Sequence, residues 1–449
     1  MKNNSLLKKC ALLIVIGALL LIPLSLIEKT IGERTQNRQA AIDAIAASLA
    51  GEQTIVGPTL TVSVVEEYDE QTESAESDGK AKKISTVRKK KTHLIMRKPH
   101  QLHLSGDLKA EKRAYGLHET SIFELHGKIT GDFELPTLQN LPETGRNSKY
   151  TWGTPSLSVG LGDARGIVGE PKVVFDGEVL SLGSGNLIKD ARDGFYAASK
   201  IALTGQPGVK AFEIDLNLAG TGQFSFIPTG GNTTAELSSN WPHPSFGGDF
   251  LPRSREISER GFSAKWSTTA LAAHASSSSD TFSRASGFLV RLIDPVDIYR
   301  QSLRAVKYGI LFIVLGFAAF FTFENVKSLP IHPIQYLLIG LAQAIFFLLL
   351  TSLSEHIAFA LAYLLSAIGS IALITVYLTA ILHRWKRSIS FSLALAILYA
   401  ALFGILKSEQ NSLLLGSLLL FFALAALMLS TRKLDWYALN RKEENAPEN

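Results

Sequence analysis

Three stretches of this sequence carry side chains that could do chemistry. In Ser239-Asn240-Trp241-Pro242-His243-Pro244-Ser245-Phe246-Gly247-Gly248-Asp249-Phe250-Leu251-Pro252, a histidine lies among three prolines, two glycines and three large aromatics. His243 would work as an acid or base only with a carboxylate or serine brought to it by folding. Trp241 and Phe246 are residue types that anchor a partner when exposed and pack on a sheet when buried. These three residues are therefore the candidates for partner binding. The segment is too rich in proline and glycine for a regular strand. Glu355 and His356 form the second stretch, between two long apolar runs. An ionisable pair there is either a turn at the membrane surface or a proton-handling or gating pair facing other helices. Glu324 carries the same two readings. Third, His100 and His103 could face one way, but no third ligand accompanies them, so no metal site is expected. Nucleophile elbow, phosphate loop, dinucleotide fingerprint and metalloprotease helix are all missing from the chain. The glycine-rich Gly160-Leu161-Gly162-Asp163-Ala164-Arg165-Gly166 lies in β-type sequence and reads as a turn. The expectation is no catalytic residue and no cofactor.

The elements that must position these residues follow from the apolar pattern. A bilayer core of about 30 Å takes about 20 apolar residues in helical form. Six runs of the 449-residue chain meet that need: about 10–27, 305–323, 334–352, 357–381, 389–406 and 411–430. The expected fold is a polytopic α-helical membrane protein of six spans, with a large β-rich, sandwich-like domain between spans one and two. The segments are 1–9, a cytoplasmic N-terminus; 10–27, an anchor; 28–304, the external domain; 305–430, a five-span bundle; and 431–449, a cytoplasmic tail. The basic start and apolar run of 10–27 resemble a signal sequence. Glu28-Lys29-Thr30 follows it, with no small-x-small cleavage site, so it reads as an uncleaved anchor. Cys10, the sole cysteine, precedes the run and excludes an intramolecular disulfide and a lipid-carrying role. A formal charge of +5 makes no case for nucleic-acid binding.

Orientation follows from the short loops. With the N-terminus cytoplasmic, the inner segments hold Lys2, Lys8, Lys9, Lys327, Arg384, Lys386, Arg387, Arg432, Lys433, Arg441 and Lys442, and the two short outer loops hold only Lys407. Trp385, Trp436 and Tyr437 suit an interfacial aromatic belt. Arg300, Arg304 and Lys307 run the other way, but long translocated domains are largely exempt from this bias.

Within the external domain, residues 28–50 continue as a helix, with Ile42, Ile45 and Leu49 at helical spacing and Gly51 placed to stop it. The period then changes to two. Leu60, Val62 and Val64 alternate with polar residues, as do Phe212, Ile214, Leu216 and Leu218. Phe123/Leu125, Leu157/Val159/Leu161, Phe224/Phe226 and Phe262/Ala264/Trp266 repeat the pattern. Such alternation marks half-buried, antiparallel strands. Residues 67–91, acidic at one end, basic at the other and almost without apolar side chains, read as a mobile loop outside the core.

Several rare peptides then occur in one order. They are Leu21-Ile22-Pro23, Val56-Gly57-Pro58, the peptide from Ser239 to Phe246, Arg255-Glu256-Ile257-Ser258, Asp294-Pro295-Val296-Asp297-Ile298-Tyr299, His332-Pro333-Ile334-Gln335-Tyr336-Leu337-Leu338, Leu353-Ser354-Glu355-His356-Ile357 and Asp435-Trp436-Tyr437-Ala438-Leu439. In these the chain resembles the CreD family of inner-membrane, cell envelope integrity proteins, over nearly its whole length. The resemblance implies a Gram-negative inner-membrane protein with a periplasmic domain, and the loop charges place both termini in the cytoplasm. It also implies roles in envelope stress, colicin tolerance and β-lactam response under a two-component system, and it brings no catalytic residues. The expected function is therefore non-enzymatic. The domain would bind an envelope protein or glycan, and the helices would contact the lipid bilayer. The rival expectation is a transporter or channel-like bundle gated by the domain, in which Glu355 and His356 matter; a third is an envelope hydrolase.

Overall fold

The computed structural model describes residues 5–74, 83–116, 118–141, 146–185, 187–188, 191, 193–272, 287–294, 298–327, 331–382, 385–408 and 411–432. The chain divides into two units, Met1–Gln39 with Val296–Asn449, and Ala40–Pro295. Helix α2 (Leu21–Ser48) continues past residue 28, as the helical spacing of Ile42 and Ile45 indicates, and residues 298–304 are helical.

The Ala40–Pro295 unit holds two eight-stranded sheets. The first runs β13 (Pro244–Gly247), β16 (Phe288–Leu292), β11 (Gln223–Ile227), β1 (Gln53–Ser74), β5 (Arg146–Leu161), β9 (Asp193–Ala198) and β8 (Ser181–Ser184), with β2 (Lys83–Arg97) also paired to β1. The second runs β14 (Ser254–Ser258), β15 (Gly261–Thr268), β12 (Asn232–Ser239), β3 (Gln101–Tyr115), β4 (His118–Glu134), β10 (Val209–Thr221), β6 (Lys172–Phe175) and β7 (Glu178–Val179). Every alternating run named above lies in one of these strands. The inward residues of both sheets, among them Val62, Leu125, Leu157, Ile214, Phe226 and Trp266, form one apolar cluster. Two pairs, β1 with β11 and β12 with β3, are parallel, so the pairing is not uniformly antiparallel.

The start of the first sheet is tied to the end of α2 by one carboxylate. Asp163 caps the short turn Ala164–Gly166 and accepts from the Gly51 N–H at 3.2 Å and from Arg165 Nη2 at 2.6 Å. Arg165 Nη1 donates to the Ala47 carbonyl at 2.7 Å, satisfying one of the helix's terminal acceptors. The glycine-rich stretch is thus a turn, as its sequence indicates.

The described residues of 67–91 are strand where a loop was expected. Over 67–74 and 83–91 they are paired strand, in continuous register from Leu60↔Arg97 to Ser74↔Lys83. The acidic end faces the basic end across the ladder. Arg88 lies 3.0 Å from Asp69, Lys90 lies 2.6 Å from Glu67, and Lys89 pairs with Glu70. Opposite charges on facing positions hold a ribbon together where apolar side chains are few. Residues 75–82 lie outside the described residues. The proline-aromatic segment is likewise not all loop: Pro244–Gly247 is β13, with Phe246 opposite Val290. Pro244 is tolerated because it begins a strand that ends its sheet.

In the helical unit, α1 (Ser5–Leu19) and α2 are separated at Leu20. Pro23 explains the break, because it has no N–H to offer the Leu19 carbonyl and its ring crowds that turn. The remaining helices are α3 (Ile298–Lys307), α4 (Gly309–Lys327), α5 (Pro333–Ser354), α6 (Phe359–Leu382), α7 (Trp385–Lys407) and α8 (Ser412–Thr431). Among the described residues five helices are long and apolar enough to cross a membrane. The expected span 305–323 is instead a pair, α3 and α4, bent by 44°, and the number reaches six if that pair is one span. Ile16, Leu20, Leu24, Phe312, Phe346 and Tyr399 belong to one apolar cluster of this unit. Pro330, Arg384, Trp436 and Tyr437 lie outside the described residues.

Candidate functional site

The proline-aromatic segment turns its rings inward. Trp241 is 7% exposed and its indole N–H donates to the Ile293 carbonyl at 3.0 Å. Phe246, expected as an outward anchor, is half-buried and meets Phe262 and Trp266 edge-on, with centroids 5.5 and 5.7 Å away. Alternation in a strand sends Phe246 to the core side. Of the three candidates only His243 is exposed, and its carbonyl accepts from the Ile293 N–H at 3.2 Å. His100 and His103 face separate partners, Asp132 and Thr234.

Glu355 and His356 are not a pair. Glu355 ends α5, and its side chain is 11% exposed, 3.6 Å from Arg34 and accepting from Tyr299 Oη at 3.1 Å. His356 is exposed. A matching group lies around Glu324, near the end of α4. Glu324 is buried, pairs with Lys9 of α1, and accepts from Tyr336 Oη at 2.6 Å. Lys9 also donates to the Ile331 carbonyl at 3.3 Å. Each carboxylate is therefore held by one cation from the N-terminal helices and one tyrosine. In an apolar surrounding such pairing is what lets the charge remain. Glu324 was a candidate in the sequence; Lys9 and Tyr336 were not.

The β unit holds a polar group that the sequence reading passed over. Glu66 is fully buried in β1 and accepts from His93 Nε2 at 2.7 Å, Ser148 Oγ at 2.7 Å and Tyr150 Oη at 3.3 Å. Histidine and serine both turn to the carboxylate, an arrangement that holds strands rather than activating the hydroxyl, which in a triad is bonded to the histidine. A signal did exist, because the inward positions Leu60, Val62 and Val64 lead to 66. The group sits where β1 leaves the apolar core, between register shifts at Val62/Val64 and Glu67/Asp69.

Comparison with known proteins fixes the family. The family model described as inner membrane protein CreD matches residues 5–437. The chain belongs to the CreD family. Inner membrane protein CreD of Escherichia coli (strain K12) is 36% identical over 429 residues, which cover 94% of this chain and 92% of the relative. The resemblance read from the rare peptides is thereby established, and this is a membrane protein of a family named for the inner membrane.

Two of those CreD-family peptides fall at the polar groups just described. His332 to Leu338 caps α5 and supplies Tyr336, and Leu353 to Ile357 ends the same helix and supplies Glu355. The peptide from Ser239 to Phe246 supplies the packed Trp241 and Phe246 and the exposed His243.

Proposed function

We propose that this CreD-family chain is a non-enzymatic inner-membrane protein. Its β-rich unit stands in the periplasm, both termini are cytoplasmic, and the unit binds another envelope protein or a glycan. Through that contact it supports envelope integrity under stress, including colicin and β-lactam exposure. The observation that supports a binding role is the surface of the long ribbon. Val87, Leu94 and Met96 of β2 are 45%, 71% and 48% exposed on a strand paired on one side only. Exposed apolar side chains on an open strand edge are what strand-adding partners recognise. By contrast, Trp241 and Phe246 support the fold, so of those three residues the partner-facing role falls to His243.

The test is in-cell photocrosslinking from Met96 and His243, with Lys172 as a remote control, beside complementation of an envelope-stress phenotype. A discrete adduct from Met96 or His243, lost under conditions that abolish complementation, is the expected result. Full complementation by a chain lacking residues 60–290 would defeat the reading.

A further inference from the structure

Helix α5 joins the two carboxylate groups of the helical unit. Tyr336 in its first turn binds Glu324, and Glu355 at its end binds Arg34 and Tyr299. Nineteen residues separate positions 336 and 355, which is about 28 Å of helix, close to the thickness of a bilayer core. Between them the buried face of α5 carries Gln343, Thr351 and Ser354. These positions fall on one side of the helix with Tyr336. Thr351 and Ser354 return their hydroxyls to carbonyls of their own helix.

Gln343 is different. It is fully buried, and neither its amide oxygen nor its nitrogen has a partner among the described residues. An amide left so in an apolar medium is costly. Gly316 of α4 makes room for it, since a Cβ there would come within 2.3 Å of Gln343 Nε2. Nearby helices add hydroxyls. Ser370 of α6 bonds Tyr399 of α7 at 2.9 Å and reaches the Ala342 carbonyl, beside Gln343, at 3.4 Å.

We propose that the buried face of α5 forms a proton path across the helical unit, with water held at Gln343 as its midpoint. A proton entering at one end adds to a carboxylate oxygen of Glu324 and weakens its hold on Lys9. It passes along water oriented by the Gln343 amide and leaves from Glu355, or runs the reverse way. Only O–H bonds form and break, and one proton leaves for each that enters. The ligand is a proton rather than a metal cation for a reason of charge. Both carboxylates are neutralised, by Lys9 and by Arg34, and Arg38 beside Tyr299 adds a further positive group. A metal ion meets no net negative charge on this face, whereas hydroxyl groups and waters oriented by an amide relay protons. The role goes beyond the binding function proposed above and stands or falls separately from it.

The full chain, reconstituted in vesicles loaded with a pH-sensitive dye, is tested under a potassium diffusion potential set with valinomycin. Proton entry should exceed that of protein-free vesicles by about tenfold. Gln343→Leu should return it to the protein-free rate, while melting at the same temperature or higher, because it removes an unpaired amide. Glu324→Gln should also lower the rate, and Ser417→Ala, on exposed α8, should leave it unchanged. Wild-type entry at the protein-free rate would overturn the path. So would a folded Gln343→Leu protein that conducts like wild type.

Discussion

Asp163 is the residue through which pH should reach the β unit most directly. The Arg165 guanidinium holds its carboxyl well below the ordinary range, at about 2, with the Gly51 and Arg165 N–H groups assisting. Its pKa is depressed on folding, so its stabilisation is complete above the unfolded value near 4 and lost as pH falls toward 2. Asp163→Asn should cost roughly 2 kcal/mol at pH 7 by that linkage, and its deficit in a denaturant titration should shrink between pH 4 and 2. The proline-aromatic segment makes a second residue-scale case. Trp241→Ala removes a buried ring and a hydrogen bond and should cost about 3–5 kcal/mol. Phe246→Ala, half-buried, should cost about half as much, and His243→Ala should stay within about 0.5 kcal/mol. Chemical denaturation of the three variants orders them, and a Phe246→Ala protein as stable as wild type would show that the ring does not support the core. The residue types here were legible in the sequence, but their direction was not. An aromatic beside prolines is equally an anchor or a packing residue until the strand that aims it is known.

At the scale of elements, charge rather than apolar burial holds the outer half of the β1–β2 ribbon. Glu67 is held below the usual carboxylate range chiefly by its hydrogen bond to Lys90, and Asp69 by those to Asn147 and Arg88. Both shifts are depressions, so their contribution is present at neutral pH and fades as pH falls through the carboxylate range. Hydrogen exchange, corrected for intrinsic rates, should show ribbon amides at 66–70 and 88–91 losing protection at pH 3 and in 1 M salt, while β10 keeps its own. Equal loss in both places would refute a charge-held ribbon. Deleting 70–90 should leave the two sheets folded, since none of the described residues there belongs to their apolar cluster. Alternation made β10 and the other half-buried strands readable because one face is wet and the other dry. The ribbon was unreadable by the same rule. Its strands are polar on both faces, and only the register places Glu67 opposite Lys90. The helix ends show a similar limit: Pro23 was visible, but a proline inside an apolar run breaks some helices and merely bends others.

For the whole molecule, the division into apolar helices and a β-rich unit was plain from where the apolar runs lie. The pairing of Lys9 with Glu324, 315 residues apart in the chain, was not, because nothing local marks two charges as partners. Reporter fusions near residue 200, in the 353–357 turn and in the 407–411 turn should report outside, and fusions at both termini inside. A cytoplasmic signal from residue 200 would reverse the orientation proposed above. One strand deserves a mechanical reading as well. β1 spans 22 residues, about 70 Å when extended, starting next to the helix end at Gly51 and finishing far out in the ribbon. A tensile load between those points runs along the strand axis. The covalent backbone carries that load, and the ladder bonds to β5, from Ile55 to Asp69, lie across the line and keep the strand extended. The strand that looks like one member of a sheet is therefore also a stiff tether, with little give between whatever grips the ribbon and residue 51.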